Sequence, residues 1–294
     1  MKKELSILIP TFNGDCRQQV NDLRMQASDI DGLKYEIIVA DDGSSDRNLV
    51  AACCEIAQWP CCHFIECKVN RGRAAIRNFL TSKARFQWLL FLDCDMTIKP
   101  DLLVRYLSCP EGDVIDGGVS IGMGRKDNLR YLYEKAREGQ HTAAEREKHP
   151  YQHFHTANFM ARSEIMRRFP FDERYKSYGY EDIFFGKQLA QNRIKIVHID
   201  NPAGFDKFED NIHFVEKTEE GLRTLHTFRN DLRGYSNLLT FVNGIHLPLV
   251  KTIIRCWHRL FGGIERRQLC GKRPSLIIFN LYRMGYYISL TQND

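Results

Sequence analysis

At 294 residues, 43% of them hydrophobic, the chain is long enough for one large α/β domain or one domain with an appendage. Its formal net charge of +5 is unevenly placed. From His246 onward eight Lys/Arg face two Asp/Glu, so the rest of the chain is slightly acidic. Basic character confined to a tail argues against a nucleic-acid binder. No N-terminal stretch has the plan of a signal peptide, and no apolar run approaches the ~20 residues of a membrane-spanning helix. The expected location is therefore cytoplasmic, or peripheral on the inner face of the plasma membrane.

The first half alternates strand and helix. Strands are expected over residues 5–9, 35–40, 63–68 and 87–92, and helices over 15–26, 44–57 and 73–82. Such a run of βα units predicts a mostly parallel sheet covered by helices. Beyond it come a strand over 114–121, a solvated helix over 129–149, and a helix over 163–169. A further helix opens at Gly179-Tyr180-Glu181-Asp182 and runs to about 192, followed by a strand over 194–199. Ten cysteines without an export signal read as reduced thiols. Cys53-Cys54 and Cys61-Cys62 are adjacent pairs and lack the C-x-x-C spacing of a structural zinc site.

Ligands in open α/β sheets bind beyond the carboxyl ends of the strands. Three polar clusters fall there: Pro10-Thr11-Phe12-Asn13, Asp41-Asp42-Gly43-Ser44 and Asp93-Cys94-Asp95. The last follows the apolar run 86–92, where an unpaired carboxylate is costly to bury. A divalent cation with oxygen ligands, itself holding a phosphate-bearing ligand, answers that cost. Asp41 and Asp42 suit a base N–H or a ribose hydroxyl, although one of them can serve as a helix cap. Arg71, Gly72, Arg73 and Arg77 bring cations and a helix entry towards a diphosphate or nucleobase. Glu181-Asp182 is a second acidic pair in an aromatic setting that can raise a carboxylate towards general-base range.

Six segments carry a family resemblance: LSILIPTFN (5–13), YEIIVADDGSSD (35–46), NRGRAAIRN (70–78), WLLFLDCDMTIKP (88–100), HTANFMARSE (155–164) and FDERYKSYGYEDIFFGKQL (171–189). In this order they resemble a family 2 glycosyltransferase of the GT-A fold. The resemblance implies an inverting transfer of a hexosyl or N-acetylhexosaminyl group from a nucleotide-diphosphate sugar, UDP by preference. The acceptor would be a glycan or a lipid-linked glycan, in cell-surface polysaccharide synthesis. It implies that Pro10, Thr11, Asn13, Asp41, Asp42, Arg71, Gly72, Arg73, Arg77 and Asp93 line the donor pocket. Asp93 and Asp95 would form a D-x-D motif for Mn²⁺ or Mg²⁺, with Asp95 the more direct ligand. Asp182 would be the general base, with Glu181 beside it, and His155, Thr156, Asn158, Tyr180 and Glu181 would meet the acceptor. Residues 1–215 would form the catalytic domain, a donor half to about 122 and an acceptor half after it. Residues 216–294 would form a basic helical extension.

One departure stands out. In the stretch 196–211 relatives often carry a metal-binding histidine where this chain has Phe205. Either a third ligand comes from elsewhere, or metal binding is weaker. A non-catalytic or weakly active nucleotide-sugar binder is therefore an alternative, and a sugar nucleotidyltransferase a more distant one. A dinucleotide dehydrogenase is disfavoured because no G-x-G-x-x-G follows the first strand. In the tail, Leu249, Ile253, Trp257 and Leu260 repeat at helical spacing, with Lys251, Arg255 and Arg259 on another side. That basic amphipathic helix either packs on the catalytic domain or lies on a membrane surface.

Overall fold

The computed structural model describes residues 1–110 and 112–291. The strands β1 (Glu4–Thr11), β2 (Lys34–Asp41) and β3 (Cys62–Glu66) alternate with the helices α1 (Arg17–Ser28), α2 (Arg47–Cys53) and α3 (Arg73–Lys83). After them come β4 (Trp88–Leu92), the two-residue β5 (Met96–Thr97) and α4 (Leu102–Ser108). The middle of the chain holds β6 (Val114–Asp116), β7 (Val119–Ile121), α5 (Leu129–Arg137), α6 (Ala143–Lys148), β8 (Asn158–Arg162), α7 (Ser163–Arg168) and α8 (Glu181–Gln191). Then follow β9 (Ile196–His198), β10 (Ala203–Phe205), α9 (Asn211–Thr227), α10 (Asn237–Gly244), α11 (Pro248–Leu269) and α12 (Leu276–Leu290).

Seven strands form one sheet in the order β3-β2-β1-β4-β8-β6-β9. β1 and β4 are buried on both faces, which explains their unbroken apolar runs. The parallel pairs β1–β2, β1–β4 and β2–β3 bring Thr11, Asp41 and the end of β4 to one edge. β8 runs antiparallel to both β4 and β6, so the sheet is mixed, with parallel pairing dominant. A smaller sheet, β5-β10-β7, lies at that edge.

Several spans differ from expectation. The strand expected over 114–121 is two strands, because Gly118 sits at φ +77 and a Cβ at Gly117 would stand 2.3 Å from the Tyr106 hydroxyl oxygen. That break sends β7 to the small sheet. The helix expected over 129–149 is α5, a 3₁₀ turn and α6. It is not wholly solvated, since Leu129 and Arg146 are buried. The helix expected over 44–57 begins at Arg47, capped by the Asp46 side chain accepting from the Leu49 N–H at 3.1 Å. No disulfide joins the cysteines among the described residues.

The tail forms its own core with the start of α8. Tyr175, Leu222, Leu225, Leu239, Tyr287 and Ile288 are buried together, with Tyr180, Ile183 and Phe184 packed against them. α9 runs across residues 215 and 216, and the tail expectation's last three residues lie outside the described ones.

Candidate active site

Asp93 leaves β4 with its backbone N–H donating to the Ala157 carbonyl. The α3 helix presents two arginines to it at i, i+4 spacing. Arg77, 1% exposed, donates to Asp93 Oδ1 at 2.7 Å, and Arg73 to Asp93 Oδ2 at 3.1 Å. Both also reach Glu181 at the start of α8, Arg73 Nε at 3.1 Å and Arg77 at 3.7 Å. The two acidic motifs, 88 positions apart in sequence, are thus stitched together by one helix face. Burial opposes the charge on Arg73, but Glu181 and Asp93 outweigh it and hold its pKa above the ordinary range.

Backbone strain aims the second motif. Gly179 (φ +95) and Tyr180 (φ +70) are both left-handed, a conformation costly for tyrosine. The Tyr180 ring is held in the tail core, with Ser236 beside its hydroxyl. α8 then starts at Glu181 with its free N–H groups near both carboxylates. Asp182 Oδ1 accepts from the Ile183 N–H at 2.7 Å. Burial, and then the neighbouring charge of Glu181, push its pKa up to about 7.

Asp95 is different from Asp93. It is partly buried and, among the described residues, no side chain pairs with it; burial and Asp93 raise its pKa, while Arg73 and Lys217 oppose the rise. A partly buried carboxylate without a partner suits a hard cation. Among the described residues no three His, Cys, Asp or Glu side chains form a metal shell. Phe205 pairs with Met96 across β10–β5, stacks edge-on to Phe208 at 5.1 Å and lies under Arg130. The donor set therefore fits an ion shared between Asp95 and a ligand's oxygens, and not a ready-made cage.

The remaining expected residues divide. The carboxylate of Asp41 accepts from the Ser44 N–H and hydroxyl. Asp42 accepts from the N–H groups of Arg71 at 2.8 Å and Gly72 at 3.0 Å. These carboxylates shape the loops, and the Gly72 N–H that was expected to meet an anion is already engaged. Gly72 itself is required, with φ +87 and the Lys176 carbonyl oxygen 2.9 Å from any Cβ. The Asn13 side chain accepts from Ser45 and Asp46 N–H groups, and the Asn13 N–H donates to Ser44 Oγ at 2.7 Å. Thr11 is buried at the end of β1 beside Pro10, donating to the Gly14 carbonyl at 2.9 Å. Arg71 turns away from Asp93, stacks on Phe79 at 4.7 Å, and lines a cavity of about 470 Å³ with Asn78 and Glu173.

Of the residues expected to meet an acceptor, Asn158 is built into a buried network and Tyr180 packs against the tail core. Asn158 is fully buried; it accepts from Tyr106 Oη at 2.8 Å and donates to the Gly118 and Asn201 carbonyls. Thr156 is buried and His155 partly so, the latter's pKa pushed down to about 4 chiefly by burial. Tyr178, part of the aromatic setting read around Glu181-Asp182, lies with its ring 5.4 Å beneath Arg73. Lys217 on α9 was missed by sequence reasoning, and no local motif marks it. Arg146 was also missed; it is buried on Asp116 at 3.0 Å and His198 at 2.8 Å, and it props the floor of this half.

A mixed sheet with acidic pairs facing one another across its carboxyl edge, closed by a helical tail, is the GT-A architecture. The chain belongs to Glycosyl transferase family 2, whose profile matches residues 6–169. It is 32% identical over 133 residues to the uncharacterized glycosyltransferase YfnE of Bacillus subtilis, covering 45% of this chain and 33% of that protein. It is 37% identical over 79 residues to the succinoglycan biosynthesis protein ExoO of Rhizobium meliloti, covering 26% of this chain and 22% of that one. The chain thus spans a third or less of these curated relatives. Among solved structures it resembles the mannosyltransferase PcManGT from Pyrobaculum calidifontis in complex with GDP-Man and Mn²⁺, with TM-score 0.58 and 15% identity over 100% of this chain and 87% of that one. It also resembles S. aureus TarS 1–349 in complex with UDP-GlcNAc, with TM-score 0.50 and 15% identity over 100% and 93%. At these identities the likeness establishes the fold.

Proposed function

We propose that the protein is an inverting glycosyltransferase that moves a hexosyl or N-acetylhexosaminyl group from a nucleotide-diphosphate sugar to a hydroxyl of a glycan or lipid-linked glycan. The observation that carries this reading is the convergence of Arg73, Arg77, Asp93, Glu181 and Asp182 at the end of β4, with Asp182 near pKa 7. A carboxylate poised there can take the acceptor's proton at neutral pH. In the proposed step the acceptor oxygen bonds to the anomeric carbon, the bond to the diphosphate breaks, and Asp182 receives the proton. Glu181 fixes Arg73 and Arg77, and those fix Asp93. Asp95 would hold Mn²⁺ or Mg²⁺, which when bound neutralises the departing diphosphate. His155 and Thr156 lie towards the acceptor side. Residues 1–215 would carry the chemistry, and the helical remainder holds Tyr180 and Lys217 in place. Polysaccharide synthesis is the setting this reading favours, and a UDP-sugar the first donor to try.

The test is turnover of UDP-, GDP- and dTDP-sugars with Mn²⁺, including slow hydrolysis without acceptor. Release of nucleoside diphosphate by the wild type but not by Asp182→Asn supports transfer. Donor binding with no turnover of any donor supports the second reading, a nucleotide-sugar binder, which Phe205 and the arginine-bound Asp93 favour.

A further inference from the structure

We propose that the outer face of α11 docks on an anionic lipid bilayer, with the helix lying flat on the surface. This inference is independent of the transfer chemistry. The 22 residues of α11 make two faces, and the apolar repeat is not the one that packs inward. His258, Gly262, Glu265 and Leu269 form the inward stripe. Gly262 and Gly285 let His258 settle between α11 and α12, where a Cβ on either would stand within 2.9 Å of its ring or stem. The apolar repeat points outward: Leu249, Ile253, Leu260 and Ile264 are 70%, 58%, 72% and 64% exposed. Trp257 and Phe261 extend this arc, their rings 4.4 Å apart, and Phe241 adds another exposed ring from α10.

At 100° per residue the residues Leu249, Ile253, Trp257, Leu260 and Ile264 share an arc of about 80°. A contiguous apolar face on a soluble surface calls for a cover. Charge decides which. At the same 100° per residue Arg267 falls at the edge of that arc and Arg259 about 80° beyond it, both exposed, with exposed Lys272 and Arg273 just past the helix, while Lys251 and Arg255 lie on the opposite side. Glu265, the one carboxylate from His246 onward among the described residues, is buried. A second copy seated on this face would bring the exposed Arg259, Arg267, Lys272 and Arg273 of two chains together with no exposed carboxylate of the described tail to offset them, whereas an anionic headgroup layer meets these cations while acyl chains take the apolar arc. No described helix is long and apolar enough to cross a membrane, so α11 fits the plane of the interface.

The test is flotation of the full chain with vesicles of phosphatidylcholine alone or mixed with phosphatidylglycerol. The wild type is expected to float with anionic vesicles, to stay behind with neutral ones, and to be released by about 0.5 M salt. The double variant Ile253→Glu, Leu260→Glu is expected to stay in the soluble fraction with its thermal midpoint unchanged, since both side chains are exposed. Arg259→Glu with Arg267→Glu is expected to lower the bound fraction roughly tenfold. Equal binding to neutral vesicles overturns the proposal, as does recovery of the wild type in the soluble fraction. So does a concentration-dependent dimer of the wild type that Ile253→Glu, Leu260→Glu disperses.

Discussion

Replacing Asp182 by asparagine keeps the side chain's shape and removes its charge. In the folded protein, burial and Glu181 raise this carboxyl from an ordinary 3.8 to about 7. A folded-state pKa above the unfolded one means that the native state holds the proton more tightly. The favourable contribution is complete below about pH 4 and is lost as pH rises to about 7. Above that, the ionised group is disfavoured by at most about 4 kcal/mol. Glu181 and the two arginines share the interaction, so a recovery of about 1–3 kcal/mol is expected on substitution at pH 8. In a chain this long that corresponds to a rise in Tm of roughly 2–8 °C. Thermal unfolding of wild type and Asp182→Asn, side by side from pH 4 to 8, measures it. The gap is expected to open with pH, and transfer by the variant to fall about 10²–10⁴-fold. A gap of the same size at pH 4 and pH 8 would refute the argument that the Asp182 charge is held under strain.

Arg77→Met leaves Asp93 and Glu181 short of a buried cation, and denaturant unfolding should show a loss of about 3–5 kcal/mol. If the loss is instead under about 1 kcal/mol, the arginine is not the clasp between the two acidic motifs. Gly72→Ala meets the Lys176 carbonyl in a left-handed backbone, which predicts about 1–3 kcal/mol of destabilisation in the same assay. Asn158→Ala removes the side-chain amide that ties the Tyr106 hydroxyl to the carbonyls of Gly118 and Asn201. It should lower stability by about 2–4 kcal/mol while leaving acceptor KM unchanged in whatever folded enzyme remains. Phe205→His restores an imidazole beside the D-x-D motif, and Mn²⁺ at a fixed concentration should raise the Tm of this variant more than that of wild type.

The first half of the fold was legible because its signals are local. An apolar run buried on both faces followed by polar residues is enough to place Thr11, Asp41 and Asp93 at one sheet edge. The roles within that edge were less legible. Asp41, Asp42 and Asn13 carry the residue types of ligand contacts, yet their acceptor atoms are taken by backbone N–H groups of neighbouring loops. Whether a carboxylate is spent on its own loop depends on turn geometry, which one-dimensional spacing does not encode. The family resemblance assigned Asn158 to the acceptor, whereas in the fold it opens β8, a strand paired on both edges and buried on both faces, and joins a network with Tyr106. The amphipathic tail was recognised as a helix while its two packing options stayed open. Periodicity identifies an apolar face and is silent on whether that face meets protein or solvent. Here a narrower stripe of His258, Gly262, Glu265 and Leu269 does the packing.

The charges around β4 explain why a diphosphate would need to arrive with its own cation. Asp93, Asp95, Glu181 and Asp182 face Arg73, Arg77 and, more remotely, Lys217. Both arginines are already committed, each bridging Asp93 and Glu181. A diphosphate entering alone would meet carboxylates first, and freeing an arginine for it would strand a partly buried carboxylate. Among the described residues Asp95 and Asp182 have no side-chain ion pair in this group, and Asp95, next but one to Asp93 at the end of β4, is the natural place for a divalent ion shared with the ligand. The same balance accounts for Asp182. With Asp93 and Glu181 paired to the arginines and Asp95 reserved, the remaining uncompensated negative charge lies at Asp182, and burial together with the neighbouring Glu181 charge resolves it by holding a proton there until near neutral pH. Ground-state electrostatics and the proposed general base are thus two consequences of one arrangement: two arginines on α3 spent on tying the end of β4 to the start of α8.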